Sequence, residues 1–284
     1  MKKFNSLKFW STVPLYVFLI VLVFIPAVFI IIVSFSKGDA LGNVTFSFTL
    51  ENFQKLANPL YGKVILDSLL LAAGTTITTF LISYPLAYFV SKVPKKVQLV
   101  LILLIMLPYW TNSLVRTYSF VILLRTEGFI NHILMALHLI DQPLKMLYTQ
   151  GAVVAGMVYI LLPVMFLPIF SSIEKLDQSY VEASRDLGAG QVRTFFHVVL
   201  PLTVPGIVAG AILVFTPTLG YFFISDLLGG GKVVLLGNLI RDQFTVTRNL
   251  PLGSALSVVM MVISFVFIAV YLRIMKKQSQ GGRV

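Results

Sequence analysis

The sequence predicts an all-α, polytopic membrane protein with about six transmembrane helices, and three observations predict it. Of the 284 residues, 57% are hydrophobic and only 12% are charged, whereas a soluble domain is about 45–50% apolar and about 25% charged. With half the usual charge, the chain lacks the surface that a globular protein presents to water. Apolar residues also gather into long segments, near 13–35, 64–90, 97–124, 151–170, 202–224 and 253–274. Each can cross roughly 30 Å of hydrocarbon as a helix. Finally, the lysines and arginines behind the net charge of +11 sit at the ends of those segments, as membrane topology requires. No basic patch lies outside the flanks, which argues against nucleic acid as a partner. There is no cysteine, so disulfides and thiolate chemistry are excluded. One transmembrane domain over 1–284 is expected.

The first segment follows MKKFNSLKFW and exceeds the short apolar core of a cleavable signal, so it reads as a retained helix. In the second, Asp67 heads the run DSLLLA, where an acid serves as a helix N-cap. The third carries Pro108 about 11 residues in, near the bilayer midplane at 1.5 Å per residue. Proline there invites a kink or break, and TNSLVR follows it. Two readings stand: backbone that lines a protein-enclosed or watery path, or a plain kink with Arg116 snorkelling to the outer interface. The KKQSQGGRV tail reads as disordered.

Six spans place both termini on one side with the 92–96 turn and the 171–200 loop. That side carries Lys2, Lys3, Lys8, Lys92, Lys95, Lys96, Lys175, Arg185, Arg193, Arg273, Lys276, Lys277 and Arg283. The longer opposite loops carry only Lys37, Lys55, Lys63, Arg125, Lys145, Lys232, Arg241 and Arg248. The positive-inside rule therefore puts both termini in the cytoplasm.

The 171–200 loop is longer than a tight turn, and long ordered loops tend to be functional. Leu176, Tyr180, Ala183 and Leu187 recur at helical spacing, with Glu174, Asp177, Glu182, Arg185 and Asp186 around them. Gly188 then suits a left-handed C-cap. Val192, Phe195, Phe196 and Val199 predict a second short helix, and Pro201 suits the first turn of the next span. An apolar stripe rimmed by charge either docks in a partner's groove or packs on its own bundle.

This loop resembles the signature of permease subunits in bacterial ATP-binding-cassette importers: Glu-Ala-Ala, three residues, Gly, nine residues, then Ile-x-Leu-Pro. Here stand Glu182-Ala183-Ser184, Gly188 and Val198-Val199-Leu200-Pro201, with both spacings intact. Ser184 replaces alanine and Val198 replaces isoleucine. The resemblance implies a coupling helix that docks on a cytoplasmic ATPase, with Glu182, Ala183, Ser184 and Asp186 in the docking segment. It also implies a bend at Gly188 and a junction to the next span at Leu200 and Pro201. PYWTNSLVRTY (108–118), YILLPVMFLPIFSSIEKLD (159–177) and SDLLGGGK (225–232) are similar to membrane subunits of spermidine/putrescine importers. The implied partners are a second permease subunit, an ATPase dimer that binds the ATP and magnesium, and a periplasmic polyamine-binding protein. No cofactor is expected in this chain, and the implied location is the bacterial inner membrane.

A polyamine needs carboxylates for its charges and aromatic faces for cation–π contact. Outside the loop the acids are Asp39, Glu51, Asp67, Glu127, Asp141, Asp226 and Asp242, of which Asp67 and Asp226 lie at span edges. Asp226, beside Tyr221, Phe222 and Phe223, is either a substrate contact or a cap for the following turn. Tyr109 and Trp110 are aromatic candidates that an interfacial belt would also use; Tyr84, Tyr88 and Tyr159 read as packing residues. GGGK at 229–232 is no phosphate loop, because Asp226 and Val233 stand where glycine and Ser/Thr are needed. His132, His138 and His197 lack metal-ligand spacing. The spans are nearly free of carboxylates, which argues against ion-coupled transport, and no catalytic dyad lies at depth. The expected role is the permease of a polyamine importer, with another amine, a thiamine-like cation or an oxyanion as the alternative cargo.

Overall fold

The computed structural model describes residues 12–39 and 42–281, so Lys2, Lys3, Lys8 and Arg283 of the charge argument lie outside the described residues. Helix α1 spans Thr12–Ser34. A hairpin pairs β1 (Lys37–Gly38) with β2 (Val44–Thr45), and α2 (Glu51–Leu56) follows. Next come α3 (Pro59–Lys92), α4 (Lys95–Met106), a 3-10 turn at Leu107–Trp110, α5 (Ser113–Leu124) and α6 (Phe129–Ala136). The chain continues through α7 (Gln150–Glu174), α8 (Gln178–Asp186) and α9 (Gln191–Gly220). It closes with α10 (Phe222–Gly229), α11 (Leu236–Thr245) and α12 (Leu250–Gly281). Among the described residues, six helical stretches are long and apolar enough to cross a membrane.

Three differences from the sequence reading, and one break that it expected, have physical causes. Helix α3 begins at Pro59, so Asp67 lies two turns inside it and caps nothing; the polar first turns PLYGK carry the helix back beyond the hydrophobic run. The third segment is broken after Met106, because Pro108 cannot donate a helical hydrogen bond and the chain tightens into a 3-10 turn there. The short helix expected after Gly188 is continuous with the fifth span, so Pro201 lies inside α9 rather than at a helix start. The tail is helical through Gly281 rather than disordered.

Two of the prolines, Pro26 and Pro201, are accommodated by the same device, whereas Pro85, Pro163, Pro168, Pro205 and Pro217 lie within α-helix. A π turn at Ile20–Phe24 ends two residues before Pro26, and another at Phe195–Val199 ends two residues before Pro201. A proline ring collides with the carbonyl four residues back. The wider i→i+5 turn moves that carbonyl aside without ending the helix.

The described chain forms two compact units. One combines 12–63 with 239–263. Its Phe35 ring stacks on Phe48 at 5.5 Å and meets Phe53 at 4.9 Å. The buried Asn52 amide donates to the Ser34 and Ser36 carbonyls at 3.0 and 2.9 Å, which satisfies backbone groups where α1 ends.

The other unit combines 64–238 with 264–281 and is built around α7. That helix has 61% of its apolar window buried, against 33% or less for every other span, which makes it the central one. Met157, Leu161, Met165, Phe166 and Ile169 are fully enclosed. Helix α9 packs on it through Gly206 and Gly210, four residues apart. A Cβ at Gly206 would collide with the Pro168 carbonyl and Ser172 Oγ, and one at Gly210 would lie 2.6 Å from Met165 Sδ. Small residues at this spacing let helix backbones approach closely in lipid.

Candidate functional site

The loop after α7 folds into the two helical pieces that its periodicity predicts. Asp177 caps α8: its Oδ1 accepts the Ser179 N–H at 3.0 Å. Bonds from the Ser179 backbone and then from its hydroxyl hold this exposed carboxyl below the usual aspartate range. Helix α8 ends at Asp186, and Gly188 adopts φ +83°. A Cβ there would meet nothing within 4 Å, so the backbone conformation alone demands glycine.

Only one narrow face of α8 is used internally. Val181 is buried, and Ser184 Oγ shares a 3.1 Å hydrogen bond with Thr194 Oγ1 at the start of α9. Phe195 packs edge-on against Tyr84 and Tyr88 of α3, and the Tyr84 hydroxyl bonds Thr203 Oγ1 at 2.9 Å. Lys95 and Glu174 form an ion pair at 2.5 Å that ties the 92–96 turn to the end of α7. Between these anchors lies a cavity of about 560 Å³ lined by Lys92, Lys95, Glu174 and Arg185.

The rest of the loop faces outward. Glu182, Ala183 and Asp186 are exposed. The expected stripe is also exposed rather than packed on the bundle, with Tyr180 at 57% and Leu187 at 89%. Its fourth member, Leu176, is half-buried and precedes α8. Leu200 is half-buried against the core and Pro201 is exposed.

Among the pathway candidates, Tyr221 lies within electrostatic reach of Tyr109 and of Arg116. Asp226, half-buried in α10, accepts a 2.7 Å hydrogen bond from Asn238 Nδ2. Tyr221, Phe222 and Phe223 form a ring cluster at the break between α9 and α10, with centroids 5.5 and 6.2 Å apart. Tyr109 is half-exposed and carries the Arg116 guanidinium over its ring at 5.8 Å. Trp110 projects outward at 75% exposure. Asp67 is half-buried in α3 beside Ser68, whose hydroxyl accepts the Leu236 N–H at 2.8 Å.

Arg116 does not snorkel. It is 7% exposed, and its Nε and Nη1 are enclosed without a hydrogen-bond partner. Sequence reasoning missed this, and it missed Asn238 as the partner of Asp226. Asp226 and Asn238 lie on different helices, and the burial of Arg116 depends on packing, so no spacing in the chain announces either. Gly230 and Gly231 of the GGGK stretch take φ +58° and +75° and form a turn. No group of three metal-ligating side chains occurs among the described residues.

Comparison with known proteins agrees with this architecture. Residues 80–280 match the family described as binding-protein-dependent transport system inner membrane component. The chain is 43% identical over 271 residues to the spermidine/putrescine transport system permease protein PotB of Salmonella typhimurium (strain SL1344), covering 95% of this chain and 94% of that protein. It is 44% identical over 255 residues to PotB of Escherichia coli (strain K12), covering 90% and 93%. Among solved structures, a chain of a bacterial ABC transporter involved in the import of the acidic polysaccharide alginate superposes with a TM-score of 0.78. It does so at 14% identity, covering 97% of this chain and 96% of that one, and so shares the fold. This chain belongs to the family of binding-protein-dependent transport system inner membrane components.

Proposed function

From its place in that family, we propose that this chain is the permease subunit of an ATP-driven importer of polyamines. The observation that carries the cargo is the 43–44% identity, along nearly the whole chain, to permeases of spermidine/putrescine transport. The partners are a second permease subunit, a pair of cytoplasmic ATPase subunits that bind the ATP and magnesium, and an extracytoplasmic polyamine-binding protein. The chain itself is non-catalytic, and both its termini face the cytoplasm.

Helix α8 is the docking element. Its outward residues include Tyr180, Glu182, Ala183, Asp186 and Leu187, so an apolar and acidic face is free for a groove on the ATPase. Ser184 faces inward instead and fixes α8 to α9 through Thr194, while Gly188, Leu200 and Pro201 connect that fixture to the fifth span. ATP-driven closure of the ATPase pair then moves α8, and α9 moves with it as a rigid body. In the pathway, Asp226 supplies a carboxylate for the cargo cation. Trp110, Tyr221 and Phe222 supply aromatic faces, the Tyr109 face being taken by Arg116, and Asp67 supplies a second acid.

The test is uptake of labelled spermidine and putrescine by vesicles that hold the reconstituted complex, with and without internal ATP. ATP-dependent accumulation that vanishes when this subunit is omitted is the expected outcome. Assembly with the ATPase but no polyamine uptake would overturn the cargo assignment. In the same assay Asp226→Asn is expected to reduce uptake several-fold, and unchanged uptake would remove Asp226 from the pathway.

A further inference from the structure

Arg116 is costly where it stands. The guanidinium is charged at every physiological pH, and the side chain is 93% removed from solvent. Nε and Nη1 meet no acceptor. The ion pairs Lys55–Glu51, Lys95–Glu174 and Arg241–Asp242 do not include it. Its described favourable neighbours are neutral: the Tyr109 ring, 5.8 Å away, and the Tyr221 phenol, which lies within electrostatic reach. An enclosed charge normally persists only when it is paired.

Its position sharpens the demand for an anion. Arg116 is the fourth residue of α5, and helical side chains lean toward the N-terminus. Tyr109 precedes α5, so a guanidinium over that ring lies at the N-terminal end of the helix. That end carries the positive pole of the helix dipole. Asn112 caps it by accepting the Leu114 N–H at 2.8 Å, but an amide contributes no negative charge. A fixed cation and a positive helix pole therefore share one spot without a counter-charge. Around it the surface is apolar and aromatic, with Trp110, Leu114, Val115 and Tyr118 exposed.

We propose that the guanidinium edge left open at this spot, Nη2, receives a carboxylate from the second membrane subunit, so that Arg116 forms one half of an ion pair between subunits. The polycationic cargo cannot supply the missing charge, and a lipid chain has none. A neighbouring transmembrane subunit can bring both the acid and an apolar surface to cover Leu114 and Val115. This assignment rests on the reading that the importer contains two permease subunits.

The test uses the full complex with both membrane subunits co-expressed. Retention of the companion subunit is measured against rising temperature for wild type, Arg116→Lys and Arg116→Met, and the melting of this chain purified alone is followed in parallel. Arg116→Met is expected to weaken companion retention on the order of a hundredfold, since removing one partner strands the other charge. Arg116→Lys should lose less. The chain alone should gain stability or be unchanged in Arg116→Met. Changing the acids of the companion's membrane segments to amides, one at a time in the Arg116→Met background, should identify one change that restores association.

Additive effects for every companion acid would overturn the assignment. So would equal destabilisation of the chain alone, which would mark Arg116 as an internal packing residue. Sensitivity to chloride or to anionic lipid instead of to a companion acid would show that a free anion or a headgroup fills the spot, and would also overturn it. Failure of any second membrane subunit to co-purify with wild type would remove the premise itself, a result distinct from the others.

Discussion

Gly188 shows how a single residue can carry a functional constraint without touching anything. Its φ of +83° lies in the left-handed region, and the space around its missing Cβ is open. A side chain there costs about 1–2 kcal/mol through backbone sterics alone, and more when β-branched. Gly188→Val is therefore expected to impair uptake while the extracytoplasmic receptor still binds substrate. Gly188→Asn should stay near wild type, because asparagine tolerates that region. Unaltered transport by the valine variant would remove the bend from the coupling path. This glycine was legible from its place after a helical run. Arg116 was not, because its burial depends on how α5 packs and not on its neighbours in the chain.

At the scale of elements, the contact between α7 and α9 is what would carry the proposed loop motion to the spans. Gly206 and Gly210 press α9 onto the backbone of α7 at Pro168 and Met165. Larger residues there force the helices apart at about 1–3 kcal/mol. Gly206→Val is expected to lower the melting temperature of the detergent-solubilised protein. Gly62→Val, where a Cβ meets nothing within 4 Å, should leave it unchanged. Equal melting for both variants would mean that the α7–α9 packing is not limiting. The spans were legible because apolar runs of span length allow little else. Their ends were not, since polar flanks such as PLYGK and QVRT continue a helix without changing the hydropathy. Pro108 and Pro201 show why proline alone is a poor guide. The first breaks its helix into a 3-10 turn, and the second is absorbed behind a π turn.

At the scale of the molecule, the proposed orientation rests on the charge bias, and the absence of cysteine makes it simple to test. Single replacements Lys96→Cys and Leu187→Cys should react with a membrane-impermeant maleimide only from the cytoplasmic side. Lys145→Cys and Arg248→Cys should react only from the opposite side. Lys96, Leu187 and Lys145 are exposed, so accessibility does not limit the comparison. Labelling of Leu187→Cys from outside would invert the topology and place α8 out of reach of any cytoplasmic ATPase.

The sequence by itself determined the membrane class and the number of spans, and the proposed side of the charged loop and the proposed docking helix rest on it as well. Each follows from a local property: an apolar run, a charge count, a helical period, a glycine at a fixed offset. Only the tertiary structure decided that Asp226 is held by Asn238, that Tyr109 is already covered by a cation, and that Arg116 lies enclosed without an acid. Those outcomes depend on which helix faces meet. In lipid, hydropathy scarcely distinguishes one apolar face from another, so close packing at small residues and the pairing of a few polar groups make the choice.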